Sequence, residues 1–185
     1  MSFGAIILAG GKSSRMGKDK GLLNYKDKSM VEYSIEALKG NCHEFSIVGA
    51  NPEYDKFNIP RYEDETVELG PLGGIQKGLR MSKQEWNVIL STDIPNINDS
   101  IVKVLIKKRV SGLIRVSKCQ GKVHPLIGLY SKQILPKLDL FLKEGGRSVM
   151  QFLNKVETEI VVFDDQYENR FLNVNTPVEF KNLDT

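Results

Sequence analysis

The sequence predicts an α/β protein: a three-layer, Rossmann-like, doubly wound and mainly parallel sheet in a single domain spanning 1–185. Three observations carry that expectation. Short apolar runs alternate with stretches of helical periodicity along nearly the whole chain. Glycine or hydroxyl clusters follow the apolar runs, at the strand ends where sheets of this class bind ligands. The length of 185 residues, with 41% hydrophobic and 26% charged residues, fits one domain with one substantial core.

The elements follow in order. Residues 6–9 form a buried strand that stops at Gly10 and Gly11, in a tight loop. Residues 29–38 place Met30, Tyr33, Ile35, Ala37 and Leu38 at helical spacing, and Gly40 closes that helix. A second strand over 45–49 ends in a turn at Asn51-Pro52. Residues 61–64 make a short strand at best, and 70–74 a glycine-rich turn before a helix from Gly74 to Met81. Residues 86–91 form an apolar strand ending at Thr92-Asp93-Ile94-Pro95. Asn98 or Asp99 then caps a helix whose apolar face holds Ile101, Val104 and Leu105. Strands over 112–116 and 123–130 are joined by a turn at Gln120-Gly121. Helices are expected over 131–142 and 147–153, and a late strand over 158–163. Residues 171–174 alternate as a strand does, and Thr176-Pro177 opens a helix.

Composition excludes several classes. The formal net charge is only +3 and the cations are scattered, which argues against a nucleic-acid partner and for local anion sites. No apolar run approaches the roughly 18 residues of a membrane span, and no secretory leader is visible. No membrane partner is expected. Cys42 and Cys119 lack metal-ligand or redox spacing, so a cytoplasmic location is expected. His43 reads as a surface or core histidine.

The stretch from Leu8 to Lys20 is the first candidate site. Its glycines let backbone N–H groups approach a ligand, and Arg15 and Lys20 bring charge suited to phosphate oxygens. Two familiar phosphate loops fail by spacing. A P-loop would need glycine where Ile6 stands, and Gly10, Gly11 and Gly17 do not supply Gly-x-Gly-x-x-Gly. Asp93 also follows an apolar strand, so both features belong on one edge of a parallel sheet. A lone aspartate facing a basic loop suits magnesium, which takes few carboxylates plus phosphates and water, although Asp93 equally suits a helix cap. Asp64 sits in an acidic run that solvation alone explains. Arg147, after two glycines, reads as a phosphate ligand at a helix start or as an exposed first-turn arginine. His124 opens a strand where an imidazole meets an anion. Asn173 and Asn175 share one face if 171–175 is extended.

The order of these motifs resembles the molybdenum cofactor guanylyltransferase family. The resembling segments are Leu-Ala-Gly-Gly-Lys-Ser-Ser-Arg-Met-Gly-Lys-Asp-Lys at 8–20, Gly-Pro-Leu-Gly-Gly-Ile at 70–75 and Ser-Thr-Asp-Ile-Pro at 91–95. They continue with His-Pro-Leu-Ile-Gly-Leu-Tyr at 124–130, Gly-Arg-Ser-Val-Met-Gln-Phe-Leu at 146–153 and Asn-Val-Asn-Thr-Pro at 173–177. The resemblance implies magnesium-dependent transfer of GMP from GTP to molybdenum-bound molybdopterin, with release of pyrophosphate. A molybdoenzyme or chaperone would receive the product. Carried over, Leu8, Ala9 and Gly10 meet guanine and ribose, while Arg15 and Lys20 serve the phosphates. Asp64 and Gly73 join the nucleotide site, and Asp93 binds both nucleotide and magnesium. His124, Arg147, Asn173 and Asn175 face the pterin. Gly11, where cytidylyl-transferring relatives tend to read Leu-Ala-Ala-Gly, implies room for a purine. One departure stands out: a position often held by asparagine is Gly49, with Asn51 two residues on. The alternatives are a nucleotidyltransferase for CTP or a sugar phosphate, and a non-catalytic nucleotide or molybdopterin carrier.

Overall fold

The computed structural model describes residues 2–10, 19–63, 69–107, 110–174 and 179. Among these, one seven-stranded sheet organises the chain. Its strands are β1 (Phe3–Leu8), β4 (Glu44–Val48), β5 (Arg61–Tyr62), β6 (Trp86–Ser91), β7 (Ile114–Cys119), β8 (Lys122–Ser131) and β9 (Thr158–Phe163). The spatial order is β5-β4-β1-β6-β8-β7-β9. Every neighbouring pair is parallel except the two made by β8, so β8 alone runs against the rest. A separate two-stranded hairpin pairs β2 (Asn24–Tyr25) with β3 (Lys28–Ser29).

Helices cover both faces. α1 (Met30–Leu38) and α3 (Asp99–Ile106) pack one side, around Ile7, Val88, Leu90, Ile101 and Leu105. α2 (Pro71–Met81), α4 (Leu135–Lys143) and α5 (Val149–Leu153) pack the other, around Ile6, Leu8, Ile75, Ile89 and Phe152. This division explains why the sequence of β1 is apolar without alternation. Ile6 faces one helical layer and Ile7 the other, and both are fully buried. Each such side chain stabilises the fold by about 1.5–3 kcal/mol relative to exposure. At the start of α1, the Glu32 carboxylate reaches back to accept the Ser29 backbone N–H at 2.8 Å, satisfying a donor the helix cannot. No helix among the described residues is long and apolar enough to cross a membrane.

Besides shifted bounds such as α4 starting at Leu135 and β7 running from Ile114 to Cys119, two departures from the sequence expectation bear on the site. α2 begins at Pro71, not at Gly74, because proline suits a first helical turn. Its glycines are there for approach: a Cβ on Gly78 would lie 2.5 Å from Ile6, and one on Gly74 3.1 Å from Leu8. Residues 171–174 form no strand. Their apparent alternation records two separate anchors, Phe171 in the α1/α3 core and Val174 beside Tyr25 and Met30.

Candidate active site

The connections around β1 and β6 diverge. α1 leaves β1 over one face, whereas α2, which leads into β6, covers the other. Such a switch point leaves a crevice at the carboxyl ends of the strands. Leu8 is level with Val48 on one side and Ser91 on the other. The Ala9 N–H donates to the Val48 carbonyl at 2.8 Å, and the Thr92 N–H donates to the Leu8 carbonyl at 3.3 Å. Leu8, Ala9, Gly10 and Asp93 therefore share one edge. The side chains of Leu8 and Ala9 are buried, so the strand offers its backbone there, and Gly10 is exposed with open space around it.

Gly49 closes one wall. A Cβ at this position would lie 2.5 Å from the Ala9 carbonyl oxygen, so the end of β4 reaches β1 only as glycine. Asn51 does not substitute for a missing side chain here, because its Oδ1 accepts the Glu53 N–H at 3.0 Å and caps a short 3₁₀ turn. Gly73 lies buried in the first turn of α2, whose N-terminus reaches the same edge through the contact of Gly74 with Leu8 and Val48. The partial positive charge of that terminus favours anions.

Lys20 opens a single 3₁₀ turn, Lys20–Leu22, capped by Asp19. The Asp19 Oδ1 accepts the Gly21 N–H at 3.1 Å and the Tyr54 hydroxyl at 2.5 Å. A side chain on Gly21 would overlap that hydroxyl and sit 3.2 Å from Thr92 Oγ1. Gly21, the residue after Lys20, is thus seated against the residue preceding Asp93.

Asp93 is half-buried, and Ser91 Oγ donates to its Oδ1 at 2.5 Å. Its Oδ2 takes no hydrogen bond among the described residues. No group of three or more potential metal-ligating side chains occurs among those residues. One carboxylate whose second oxygen is unbonded among the described residues, at the carboxyl edge of the sheet, fits magnesium held mainly by phosphates and water rather than a protein cage.

The antiparallel strand supplies the opposite wall. β8 enters from the carboxyl edge, and its register pairs Leu90 with Ile127. Continuing that register past the end of β6 brings Asp93 level with His124. The His124 imidazole is buried, and desolvation and Lys122 push its pKa below the ordinary value while Asp93 opposes them. Its ring lies 4.9 Å from that of Phe171. The chain beyond Phe171 then returns to the site, where the Val174 N–H donates to the Asp93 carbonyl at 2.8 Å. The neighbouring Asn173 Oδ1 is buried with no hydrogen-bond partner among the described residues, an acceptor waiting for a donor.

Asp93, His124 and Asn173 are therefore brought together, and Lys20, Leu8, Ala9, Gly10 and Gly73 border the same edge. Arg147 is placed differently: its guanidinium donates to the carbonyls of Leu142 at 3.1 Å and Gly146 at 2.7 Å, at the end of α4. No contact among the described residues joins it to Asp93 or His124. Gly11, Arg15, Asp64 and Asn175 lie outside the described residues, as does the helix start at Thr176. Asp19, Tyr54 and Ser91 are not singled out by sequence spacing. Only Ser91, two residues before Asp93 and so on its side of the strand, carries a signal that could have found it.

The MobA-like NTP transferase domain family matches residues 5–158. A Flavobacterium johnsoniae protein named "probable molybdenum cofactor guanylyltransferase" is 36% identical over 179 residues, covering 96% of this chain and 94% of that protein. A Vibrio parahaemolyticus protein named molybdenum cofactor guanylyltransferase is 35% identical, covering 94% of this chain and 91% of that one. Among solved structures, a protein from Aquifex aeolicus VF5 superposes with a TM-score of 0.80 at 32% identity, covering 94% of this chain and 93% of that one. The molybdopterin-guanine dinucleotide biosynthesis protein A of Archaeoglobus fulgidus shares the fold at a TM-score of 0.77 and 19% identity, covering 97% and 96% of the two chains.

Proposed function

The chain belongs to the MobA-like NTP transferase family, and from that premise we propose that it transfers GMP from GTP to molybdenum-bound molybdopterin, releasing pyrophosphate. Its class as a nucleotidyltransferase follows from the family; the two substrates are the proposal. The observation that supports them best is the meeting of two chemically distinct walls at Asp93. One wall, built from β1, β4 and the Lys20 turn, presents glycines, backbone and a cation. The other, built from β8 and 171–174, presents a buried imidazole and an amide oxygen with no partner among the described residues. The first suits a nucleotide and the second a polar heterocycle.

The reaction needs little from the protein beyond placement and charge. A phosphate monoester has a second pKa of about 6, so the acceptor's phosphate is largely dianionic at neutral pH and no general base is required. In-line attack on the α-phosphorus of GTP brings anions together, and the obstacle is their repulsion. Leu8, Ala9 and Gly10 hold the nucleoside by backbone contacts, and Lys20 with Arg15 neutralises the departing pyrophosphate. Asp93, oriented by Ser91, would hold magnesium, which supplies charge stabilisation at the phosphates when bound. His124, held below its ordinary pKa by burial, can donate one hydrogen bond and accept another, and with Asn173 it would orient the pterin side.

Pyrophosphate release tests this directly, with magnesium, molybdopterin and each nucleotide supplied in turn. Release with GTP alone is expected. Release with CTP instead would replace the guanylyl reading, and no release with any nucleotide would replace catalysis by a carrier role.

A further inference from the structure

We propose that the hydrogen bond between Tyr54 and Asp19 is a latch that positions Lys20. This deepens the nucleotidyl-transfer reading and rests on it for the task of Lys20. Tyr54 lies in the 3₁₀ turn after β4 and is fully buried, so its hydroxyl must find a partner inside the protein. The partner is a carboxylate 35 positions away in the chain, at 2.5 Å, a charge-assisted bond of the stronger kind. Burial and Asp19 both raise the Tyr54 pKa, so the phenol remains a donor.

The geometry on either side of Lys20 gives the bond its purpose. The same Asp19 oxygen accepts the Gly21 N–H at 3.1 Å, so one carboxylate straddles Lys20. The Leu23 N–H closes the turn on the Lys20 carbonyl at 3.1 Å. Gly21 rests against both Tyr54 and Thr92, with no room for a side chain. A lysine has a flexible four-carbon stem, and its ammonium is only as well placed as the backbone it starts from. The latch ties that backbone to the turn after β4 through Tyr54, and the close approach of Gly21 to Thr92 seats it beside the end of β6. Tyr54 is a positioning residue: it acts on the phosphates through Lys20.

Tyr54→Phe removes the hydroxyl and keeps the ring. Turnover should fall roughly 10- to 100-fold, the loss typical of one hydrogen bond to a charged group, while the KM for molybdopterin stays unchanged. Lys20→Ala and the double variant complete a cycle. If Tyr54 works through Lys20, Tyr54→Phe costs less than about twofold in the Lys20→Ala background. Losses that multiply instead overturn the proposal. Hydrogen exchange at the Gly21 amide gives a readout independent of any substrate: exchange should quicken in Tyr54→Phe, and unchanged exchange refutes the latch. A wild-type chain that transferred no nucleotide would end the functional reading, yet exchange would still decide the latch. Should Tyr54→Phe fail to fold, half-buried Asp19→Ala carries the same expectations and Asp19→Asn, which keeps an acceptor, should recover part of the loss.

Discussion

Replacing Gly49 with alanine presses a methyl group onto the backbone of Ala9. The added Cβ would stand 2.5 Å from the Ala9 carbonyl oxygen, where a carbon–oxygen contact needs about 3.3 Å. One strand end must therefore move by about 0.8 Å, the difference between those distances. Neither is free to do so. The Gly49 N–H is bonded to the Tyr62 carbonyl at 3.0 Å, and the Ala9 N–H to the Val48 carbonyl at 2.8 Å. Overpacking of this kind typically costs about 1–3 kcal/mol. For a chain of this size each kcal/mol lowers the melting temperature by about 2–4 °C, so a fall of roughly 2–12 °C is expected. Thermal unfolding followed by circular dichroism measures it. The displaced atom belongs to the proposed nucleotide wall, so the KM for GTP should rise more than kcat falls in a pyrophosphate-release assay. Asparagine at this position carries the same Cβ and should behave at least as badly. A Gly49→Ala protein with melting temperature within about 1 °C of wild type and an unaltered KM would refute the reasoning.

Three further outcomes are expected. Asp93→Asn should leave the melting temperature near wild type and lower magnesium-dependent turnover about a hundred- to a thousandfold; near-normal activity would remove Asp93 from the metal site. Ser91→Ala, which only frees the carboxylate to rotate, should cost about tenfold. At the far side of the sheet, Arg115 is almost wholly buried and donates to Glu159 at 2.9 Å. Burial pushes the Glu159 pKa up, but the Ser111 N–H and Arg115 outweigh it and hold the carboxyl below its ordinary value. A depressed carboxyl contributes stability above its unfolded pKa of about 4.3 and loses it as pH falls through the folded value. Glu159→Gln should therefore destabilise the protein by about 1–2 kcal/mol at neutral pH and flatten its loss of stability below about pH 4.3. Melting curves of variant and wild type that stay parallel into acid would contradict this.

The sequence shows most plainly what burial on both faces enforces. β1 and the Val88–Leu90 stretch of β6 are apolar without alternation because each sits between two helical layers, and the glycines and Asp93 that follow them fall on one edge for that reason. What local pattern cannot show is pairing over distance. Nothing near Tyr54 announces Asp19, since a buried hydroxyl and its partner need only meet in space. His124 is an intermediate case. Gln120 and Gly121 both take positive φ, the geometry of a two-residue hairpin turn, so the antiparallel course of β8 was written in that dipeptide. From it, the approach of His124 to the end of β6 follows by register. The helical start at Pro71 was obscured by glycines, which suggest a turn although here they admit Ile6 and Leu8. Residues 171–174 alternate for the sake of two separate anchors, and no ladder partner lies beside them.

The single reversed strand has a consequence for how such a catalyst can change its diet. All residues described on the nucleotide wall precede residue 94, and those on the opposite wall follow residue 120. The hairpin tip at Gln120-Gly121 is exposed and lies on the side of the second wall. On the proposed division, exchanging the stretch from β7 through residue 174 for that of a relative would install a new acceptor surface while leaving the proposed donor wall in place. Under this division, new acceptor chemistries arise by grafting one contiguous stretch of chain.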